Sequence, residues 1–387
     1  MTVPRVVVVG ASIGGLTAAE TLRQEGFDGE IVLIGDEPGL PYTRPPLSKQ
    51  VLMGEWEPEQ AAIRTAAEID DLGIELRTDC PATGLDVGAR VLHTAGGPVP
   101  FDDLMIATGS SPRRHPELPS APTLRTVPEA LALREALRSA STVLVVGSGI
   151  LGSEIAGAAR KHGAATTIAG IEGTLGFGGV GSLLSDRLAD LHRAHDVELL
   201  LRSGVVGSGP AEGGTQVAFA DGSSRRFDVV VVMIGATPNT RWLEGSSLPL
   251  GNGVLCDTDG TAAPGVHAVG DVAAWLDPAT GRHVRVEHQS NAIEQGIAVA
   301  TRVVHGTTSE RPVPLFWSEI HGTRINAYGW FDPALPLVFE SSDAAVLTSR
   351  DADGRLRGVL GWNAPPREFR AARAAITLSP YVEGAVR

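Results

Sequence analysis

Two glycine-rich turns are the parts of this sequence best suited to hold a phosphate group. The first, G-A-S-I-G-G at 10–15, has Ser12 at the usual second glycine, and the second is a complete G-x-G-x-x-G at Gly147, Gly149 and Gly152. Such glycines let the backbone approach a pyrophosphate, and the following helix offers free N–H groups and its positive dipole end. Two turns over a hundred residues apart predict two dinucleotide sites, one for a prosthetic group and one for a diffusible substrate. Ordinary strand–turn–helix units without a ligand are the alternative.

A strand and a helix must flank each turn to position it. Residues 6–9 are four valines, as expected of a strand buried on both faces, and 16–25 has helical spacing and good helix formers. Residues 143–154 repeat this order. Residues 31–37, I-V-L-I-G-D-E, form a predicted second strand whose end places Asp36 and Glu37 at the distance expected for a ribose contact. The pattern predicts an α/β fold with parallel sheets.

A lysine at the end of a proline-rich segment is a second candidate for chemistry. The segment 41–49, P-Y-T-R-P-P-L-S-K, holds three prolines and is therefore predicted to be a rigid, extended loop that presents Arg44 and Lys49. The chain has two lysines, Lys49 and Lys161, and thirty arginines. A lysine at this position is consistent with a need for its compact point charge. A solvated lysine at a helix start is the alternative.

Composition limits the classes of protein. A chain of 387 residues has room for two or three domains, and 43% hydrophobic with 20% charged residues is typical of a globular protein. No apolar run reaches the roughly 20 residues of a membrane helix, and the early first strand predicts no signal peptide and a cytoplasmic location. The formal charge of −13 argues against nucleic-acid binding, although a local basic patch could still steer an acidic partner.

Cysteine usage restricts the redox chemistry. Cys80 and Cys256 are the only cysteines, and they lie far apart in the sequence. Because no C-x-x-C or similar pair exists, we predict no sequence-local redox disulfide, no iron–sulfur ligand cluster and no metal site. Both cysteines are interpreted as small buried apolar residues.

The remaining elements suggest four segments. The predicted elements are a helix at 61–71, strands at 74–77 and 91–94, a hairpin turn at 96–97, a strand at 102–109 ending in A-T-G, a linker at 112–122, a helix within 124–138, and strands at 227–239 and 265–271. Alternating residues from Leu315, with Trp317, Trp330 and Trp362, predict a small antiparallel domain. The expected domains are 1–110 and 236–310 for FAD, an inserted 111–235 for NAD(H), and a C-terminal 311–387.

The order of motifs resembles the NADH-dependent ferredoxin reductases of the putidaredoxin-reductase and Rieske-oxygenase reductase type. The matching motifs are G-A-S-I-G-G at 10–15, R-P-P-L-S-K at 44–49, the second glycine motif ending in Glu154, G-D-V at 270–272, R-V-E-H-Q-S-N-A at 285–292 and F-W-S-E at 316–319. These reductases are FAD flavoproteins of the glutathione-reductase fold. The resemblance implies two Rossmann-like dinucleotide-binding domains, for FAD and NAD, with the second inserted in the first, plus a small C-terminal α+β domain.

The same resemblance implies roles for individual residues. Lys49 and Glu154 are expected to pair at the nicotinamide–flavin junction as the catalytic pair, with the cation stabilising negative charge on reduced flavin. Expected FAD contacts are Gly10, Ser12, Ile13, Gly14, Asp36, Glu37, Arg44, Lys49, Ala82, Ala107, Thr108, Gly109, Arg125, Gly270, Asp271, Glu287, His288, Gln289 and Trp317. Expected NADH contacts are Gly147, Gly149, Ile150, Gly152, Glu154, Glu172 and Gly235.

The expected NADH site departs from the family pattern at one strand end. Gly170 is predicted to stand where an acid usually binds the adenosine ribose, and Glu172 follows two residues later. The segment 173–181 contains no basic residue for a 2′-phosphate, so the sequence gives NADPH no anchor. Either Glu172 replaces the acid through a shifted loop, or NADH binding is weakened, or the loop variation has no consequence.

Three functions follow from these observations. The first is hydride transfer from NADH to FAD and single-electron transfer to a [2Fe-2S] ferredoxin serving a cytochrome P450 or Rieske oxygenase. The second is an FAD-dependent oxidase or dehydrogenase acting on a small molecule with reduced or lost NADH use. The third is a redox sensor or scaffold that keeps FAD for structure. For the first, Arg282, His283 and Arg285 form a candidate docking patch, with a solvated loop as the alternative.

Overall fold

The computed structural model describes residues 3–176, 181–278, 280–306, 313–329, 331, 337–339, 345–351 and 353–376. Trp330 and residues 177–180 of the altered 173–181 segment lie outside this range. The chain divides into two compact units. Unit 1 comprises Met1–Thr43, Ala62–Ser111 and Thr237–Pro314, and unit 2 comprises Arg44–Ala61, Pro112–Ala236 and Leu315–Arg387.

The helices and strands are numbered here in chain order. Helices α1 to α7 are Ile13–Gln24, Ala66–Asp71, Val127–Ser139, Ile150–Lys161, Gly181–Ala194, Gln289–His305 and Pro366–Ala374. Strands β1 to β27 are Arg5–Val9, Glu30–Ile34, Ile74–Arg77, Ala82–Asp86, Val91–Thr94, Gly97–Pro100, Asp103–Ile106, Ser110–Pro112, Thr142–Val146, Ala165–Gly170, Val197–Leu201, Val205–Ala211, Gly214–Phe219, Ser224–Phe227, Val229–Val232, Ala236–Pro238, Leu250–Gly251, Gly253–Cys256, Thr261–Ala263, Val266–Ala268, Ala273–Asp277, Arg282–Arg285, Leu315–Ile320, Thr323–Gly329, Leu337–Phe339, Val346–Arg350 and Leu356–Trp362. Short 3-10 helices are Pro45–Ser48, Pro58–Ala61, Arg241–Leu243 and Gly270–Val272.

Unit 1 is built on a six-stranded sheet in the order β19-β20-β7-β1-β2-β3. Strand β1 pairs in parallel with β2 and β7, and its four valines are 0–3% exposed, as predicted for a strand covered on both faces. Helices α1 and α6 pack against each other in this unit. Helix α1 contacts β1 and β2, and α6 contacts α1 and the 3-10 helix Gly270–Val272, so the buried sheet supports α1 directly and α6 through α1.

Unit 2 repeats this plan in its nucleotide fold. Strands β11, β10, β9 and β15 form a parallel sheet in that order, and β12, β13 and β14 form a separate antiparallel sheet. A five-stranded antiparallel sheet in the order β23-β24-β27-β26-β25 follows, which confirms the antiparallel texture predicted after Leu315. Among the described residues, no helix is both long and apolar enough to cross a membrane.

Several predicted elements differ from the structure. The strand predicted at 227–239 is two strands, Val229–Val232 and Ala236–Pro238, and the strand predicted at 265–271 ends at Ala268, before the 3-10 helix Gly270–Val272.

The segment 41–49 was expected to be wholly extended, but Pro45–Ser48 forms a 3-10 helix, because proline is tolerated in a first helical turn where no N–H is needed. The helix expected at 61–71 begins only at Ala66, where Thr65 and Glu68 form a reciprocal capping box. Lys49 is the C-cap residue of the 3-10 helix Pro45–Ser48, which fixes the backbone from which its side chain extends.

Candidate functional site

The first glycine turn brings backbone segments of unit 1 into close contact. Gly10 has φ +114°, and a Cβ on it would lie 2.1 Å from the Ala107 carbonyl oxygen. A Cβ on Gly15 would lie 2.0 Å from the Gly10 oxygen. The predicted residues Ala107, Thr108 and Gly109 thus follow β7 directly beside the turn. Only glycine fits at these two positions, which explains the motif locally.

Two helices of unit 1 begin at the same end of the fold. Gly14 of α1 lies opposite Ala292 of α6, and one turn later Ala18 lies opposite Gly296. The two helices therefore run in the same direction. Ser12 and His288 are their N-caps, and neither makes a side-chain cap hydrogen bond. The free N–H groups and positive dipole ends of both helices therefore lie side by side, which suits a pyrophosphate. This is the fit expected of the FAD phosphates.

Polar residues surround this end of unit 1. Gln295 accepts a hydrogen bond from the Gly270 N–H at 2.8 Å, and Ser110 donates to the Asp271 carboxylate at 3.1 Å. Burial lowers the pKa of His288, and the nearby Asp271 partly opposes that shift. The predicted Gln289 accepts from the Thr43 hydroxyl at 2.9 Å. Asp271 therefore lies near His288 of the 287–289 segment. The contacts of Ser110 and Gln295 were not predicted from the sequence.

The docking patch proposed from sequence is not a free cluster of cations. Arg285 donates to the Asp271 carbonyl oxygen at 3.1 Å and pairs with Glu287, and its side chain is only 7% exposed. Arg282 and His283 remain exposed on β22. Arg285 therefore orders the strand next to Asp271, and its charge is largely withdrawn from the surface.

The second glycine turn, in unit 2, has the same geometry as the first. Gly147 has φ +124°, and a Cβ on it would lie 2.0 Å from the Met233 oxygen. A Cβ on Gly152 would lie 2.3 Å from the Gly147 oxygen. Gly149 is the N-cap of α4, and a Cβ on it would lie 4.0 Å from the Gly176 oxygen, which is ordinary contact. The turn can accept a second pyrophosphate at the α4 N-terminus.

The strand register of the two units identifies equivalent positions. The Gly10 N–H donates to the Ile34 oxygen, and the Gly147 N–H donates to the Ala169 oxygen, both at 2.7 Å. Gly170 therefore corresponds to Gly35, and a Cβ on either would collide with the residue after the first motif glycine. The acids Asp36 and Glu37 correspond to Ile171 and Glu172. This correspondence favours Ile171 and Glu172, and not Gly170, as the matches of the unit 1 acids, while the residue that meets the nucleotide ribose stays a prediction.

A buried ion pair forms a second chemical centre in unit 2. The Lys49 ammonium lies 2.7 Å from Glu154 Oε1, and both side chains are 6% exposed. Ser48 donates to Glu154 Oε2 and Ser318 to Oε1, each at 2.5 Å. The Lys49 ammonium also lies 5.0 Å from the Trp317 ring centroid, within range of a cation–π contact. The pairing expected from sequence is present, and the two serines complete it.

This ion pair opens onto a cavity of about 430 Å³ in unit 2. Lys49 and Glu154 line it together with Arg160, His195 and His321. Trp317 is 44% exposed, so its ring is available to a ligand or partner as well as to Lys49. The cavity gives a buried charged pair access to small molecules.

The other predicted site residues fall on several elements. Arg44 precedes the 3-10 helix 45–48 and donates to the Arg125 carbonyl oxygen at 2.7 Å, which joins these two predicted residues in unit 2. Gly235 has φ +90° and accepts from the Arg113 N–H at 2.9 Å. Ala82 starts β4 in a separate three-stranded sheet of unit 1. Asp36 is exposed, and Glu37 accepts from the Tyr42 hydroxyl.

Three histidines of unit 2 pack together beside the cavity. The rings of His195 and His321 stack at 4.3 Å, and His192 Nδ1 lies 3.1 Å from His321 Nε2. Burial is the main cause that lowers the pKa of His192 to about 3, and the neighbouring His321 and His195 rings add to it. Burial also lowers the pKa of His321 to about 4. His192 and His321 are therefore neutral at physiological pH.

We expect the free energy of unfolding to fall as the pH is lowered from about 7 towards 4. Because the folded-state pKa of His192 is depressed, its contribution is complete above the unfolded value of about 6.5 and is lost as the pH falls towards 3. At about pH 5 this loss from His192 alone is about 2 kcal/mol. His192→Gln keeps a polar group but does not titrate, so urea unfolding should show a smaller pH dependence. Equal losses in both proteins would contradict the assignment.

Two nucleotide folds, each with a glycine turn at a helix start, and a buried lysine–glutamate pair define an oxidoreductase that uses dinucleotides. The chain belongs to the pyridine nucleotide-disulphide oxidoreductase family, whose model matches residues 4–296. The predicted fold class and family are thereby confirmed.

Full-length relatives agree with this placement. The chain is 35% identical to rhodocoxin reductase of Rhodococcus erythropolis, over 95% of this chain and 88% of that one. It is 32% identical to the ferredoxin–NAD(+) reductase subunit of the benzene 1,2-dioxygenase system of Pseudomonas putida, over 98% and 93%. The reductase in the covalent putidaredoxin reductase–putidaredoxin complex superposes with a TM-score of 0.90 at 26% identity, over 97% and 94%.

Proposed function

We propose that this chain is a ferredoxin reductase that carries electrons from NADH through FAD to a [2Fe-2S] ferredoxin, which in turn serves a cytochrome P450 or a Rieske oxygenase. The turn at Gly10 holds FAD, and the turn at Gly147 holds NADH. FAD, when bound, accepts a hydride and releases electrons one at a time. The domain roles follow: 1–110 and 236–310 for FAD, 111–235 for NADH and 311–387 as the C-terminal domain. The expected location is the cytoplasm.

The observation that carries the proposal is the combination of a buried cation with the lack of an internal disulfide. The chain's two cysteines are both free and buried, and burial raises the pKa of Cys256 to about 12, so its thiol stays protonated. Electrons therefore have no cystine within the chain to reduce and must leave it. The relatives described above include a ferredoxin–NAD(+) reductase subunit and a reductase in complex with putidaredoxin, which supports a ferredoxin as the acceptor.

Lys49 and Glu154 are the proposed catalytic pair. The ammonium group supplies positive charge in a site where little water screens it, and Glu154 fixes its position. Ser48 and Ser318 each donate a hydrogen bond to one carboxylate oxygen of Glu154, so both oxygens have a partner. The Lys49 ammonium is thus held at a defined point by its counter-ion, as electrostatic stabilisation of a reduced ring would require.

The protein is expected to be yellow, with non-covalent FAD that denaturation releases completely into the supernatant. Anaerobic NADH should bleach the flavin in stopped flow, and cytochrome c reduction should then depend on added ferredoxin. Flavin bleaching by NADH together with cytochrome c reduction that does not depend on added ferredoxin would contradict a ferredoxin as the partner. A flavin that NADH does not bleach, but that a small organic substrate does, would favour the oxidase or dehydrogenase alternative.

A further inference from the structure

The correspondence between the units extends to a third position, on the neighbouring strand. In unit 1 the Asp79 N–H donates to the Glu37 carbonyl oxygen at 3.2 Å, and in unit 2 the Arg202 N–H donates to the Glu172 carbonyl oxygen at 3.1 Å. Both donors adopt left-handed backbone, with φ 52° at Asp79 and 60° at Arg202. The two turns are therefore the same structure with different side chains.

The two turns differ in the charge of their side chains. Unit 1 carries three carboxylates at the equivalent positions, Asp36, Glu37 and Asp79. Unit 2 carries one apolar side chain, one carboxylate and one guanidinium, at Ile171, Glu172 and Arg202. The formal charge thus changes from −3 to zero, counted over these three positions. Ile171 is 78% exposed, so an apolar side chain stands in solvent where unit 1 has an acid.

The Arg202 side chain packs against the backbone of the turn that follows β10. A Cβ on Gly173 would be 2.6 Å from Arg202 Nε and 3.1 Å from Nη2, so the guanidinium lies against the backbone of Gly173. Strands β10 and β11 are parallel neighbours, with Gly170 opposite Leu201, which brings both strand ends to one edge of the sheet. In the part of the chain that the structure describes, the exposed Arg202 guanidinium makes no ion pair or hydrogen bond.

The position has a known chemical consequence in nucleotide folds. An acid at the end of the second strand accepts hydrogen bonds from the adenosine ribose hydroxyls and repels a 2′-phosphate, whereas an arginine there accommodates the phosphate. Arginine matches a phosphate with paired donors and a permanent charge. The 173–181 segment lacks a basic residue, but folding brings one from position 202.

We propose that the nucleotide site of unit 2 accepts NADPH as well as NADH, and that Arg202 is the residue that binds the 2′-phosphate. The inference rests on the proposed function in one respect, because the proposed function assigns this same site to NADH. Glu172 remains available to the ribose hydroxyls of NADH. Specificity is therefore set by a balance of Glu172 against Arg202.

The test compares two nucleotide fragments by isothermal titration calorimetry on the FAD-loaded protein. The fragments, 2′,5′-ADP and 5′-AMP, differ only in the 2′-phosphate. The wild type should bind 2′,5′-ADP at least as tightly as 5′-AMP. Arg202→Gln should weaken 2′,5′-ADP about tenfold, equivalent to about 1.4 kcal/mol, and change 5′-AMP less than about twofold. Arg202→Lys should recover part of the loss, because the charge remains.

Two further variants provide a control and a second test of the 2′-phosphate site. Arg193→Gln removes an exposed arginine of the same unit that pairs only with exposed Asp190, and it should change neither affinity. Ile171→Asp restores the acid of unit 1 and should weaken 2′,5′-ADP selectively. In kinetics, the ratio of kcat/KM for NADPH to that for NADH should fall about tenfold in Arg202→Gln.

Two outcomes would overturn the inference. One is a wild type that binds 5′-AMP but not 2′,5′-ADP, and the other is an Arg202→Gln variant that affects both fragments equally. Neither outcome touches the proposed function, which depends on bleaching of the flavin by NADH. Conversely, if NADH failed to bleach the flavin, fragment binding would still decide the role of Arg202.

Discussion

Replacing Lys49 with methionine is expected to leave FAD bound while slowing its reduction by NADH about tenfold or more. The substitution removes the charge and roughly keeps the side-chain volume. The lost interaction is one close charge in a site where the side chain is 6% exposed, which corresponds to about 1–3 kcal/mol. Stopped-flow bleaching of the flavin under anaerobic conditions measures the effect directly.

The same substitution is expected to lower stability, and this effect must be separated from the kinetic one. Lys49→Met leaves the Glu154 carboxylate buried without its cation, and breaking such a pair costs about 3–5 kcal/mol. The double variant Lys49→Met with Glu154→Gln removes both charges, so it should regain stability. It should not regain the rate of flavin reduction, because the cation is still absent.

The chain provides a matched control for Lys49. Lys161 is its only other lysine, and it pairs with Glu55 while its side chain is 52% exposed. Because solvent screens exposed pairs, Lys161→Met should change both stability and reduction rate little. Equal reduction rates in Lys49→Met and Lys161→Met would return Lys49 to the role of an ordinary structural lysine.

The parts of the site that follow from local backbone constraints could be predicted from the sequence. Gly10 and Gly147 are glycine because each has positive φ and meets a carbonyl oxygen of the strand next to it. Such constraints recur with fixed spacing, so the motif identifies strand, turn and helix together. Lys49 and Glu154 were paired only through the family resemblance, since their 105-residue separation has no local signature.

The contacts that complete the site could not be predicted, because they depend on tertiary packing. Ser318 reaches Glu154 across 164 residues, and Gln295 reaches Gly270 across 25. A serine in a strand carries no pattern that distinguishes it from other surface or core serines. Arg202 was missed for the same reason, since a basic residue was sought along the chain and not on the neighbouring strand.

The backbone hydrogen bonds of the internal repeat revise one prediction made from the sequence. The expectation that an acid ends the strand after residues 163–168 placed Gly170 at the position of the acid. The register instead aligns Ala169 with Ile34, because each accepts the N–H of the first motif glycine. A one-residue shift of this kind changes which side chain faces the nucleotide. It explains why Gly170→Glu would collide with Ser148 and would not restore an acid.

Gly10→Ala is expected to abolish FAD retention, and we expect purified protein with less than about a tenth of the wild-type flavin. The added Cβ would lie 2.1 Å from a backbone oxygen, and the residue would keep φ +114°. Overpacking and an unfavourable φ each cost about 1–3 kcal/mol. Their sum, about 2–6 kcal/mol, reduces affinity by about thirtyfold or more if the turn moves to relieve the contact. Flavin content per chain, measured after gel filtration, reports the result.

Two glycine controls make this result specific to the turn. Gly26 also has positive φ, at +91°, but a Cβ there would meet nothing within 4 Å, so Gly26→Ala pays only the conformational cost and should retain FAD. Gly147→Ala repeats the collision in unit 2 and should retain FAD while losing reduction by NADH. Circular dichroism distinguishes lost flavin from a lost fold. Full flavin content in a folded Gly10→Ala variant would contradict the assignment of this turn to FAD, because no pyrophosphate could then depend on its geometry.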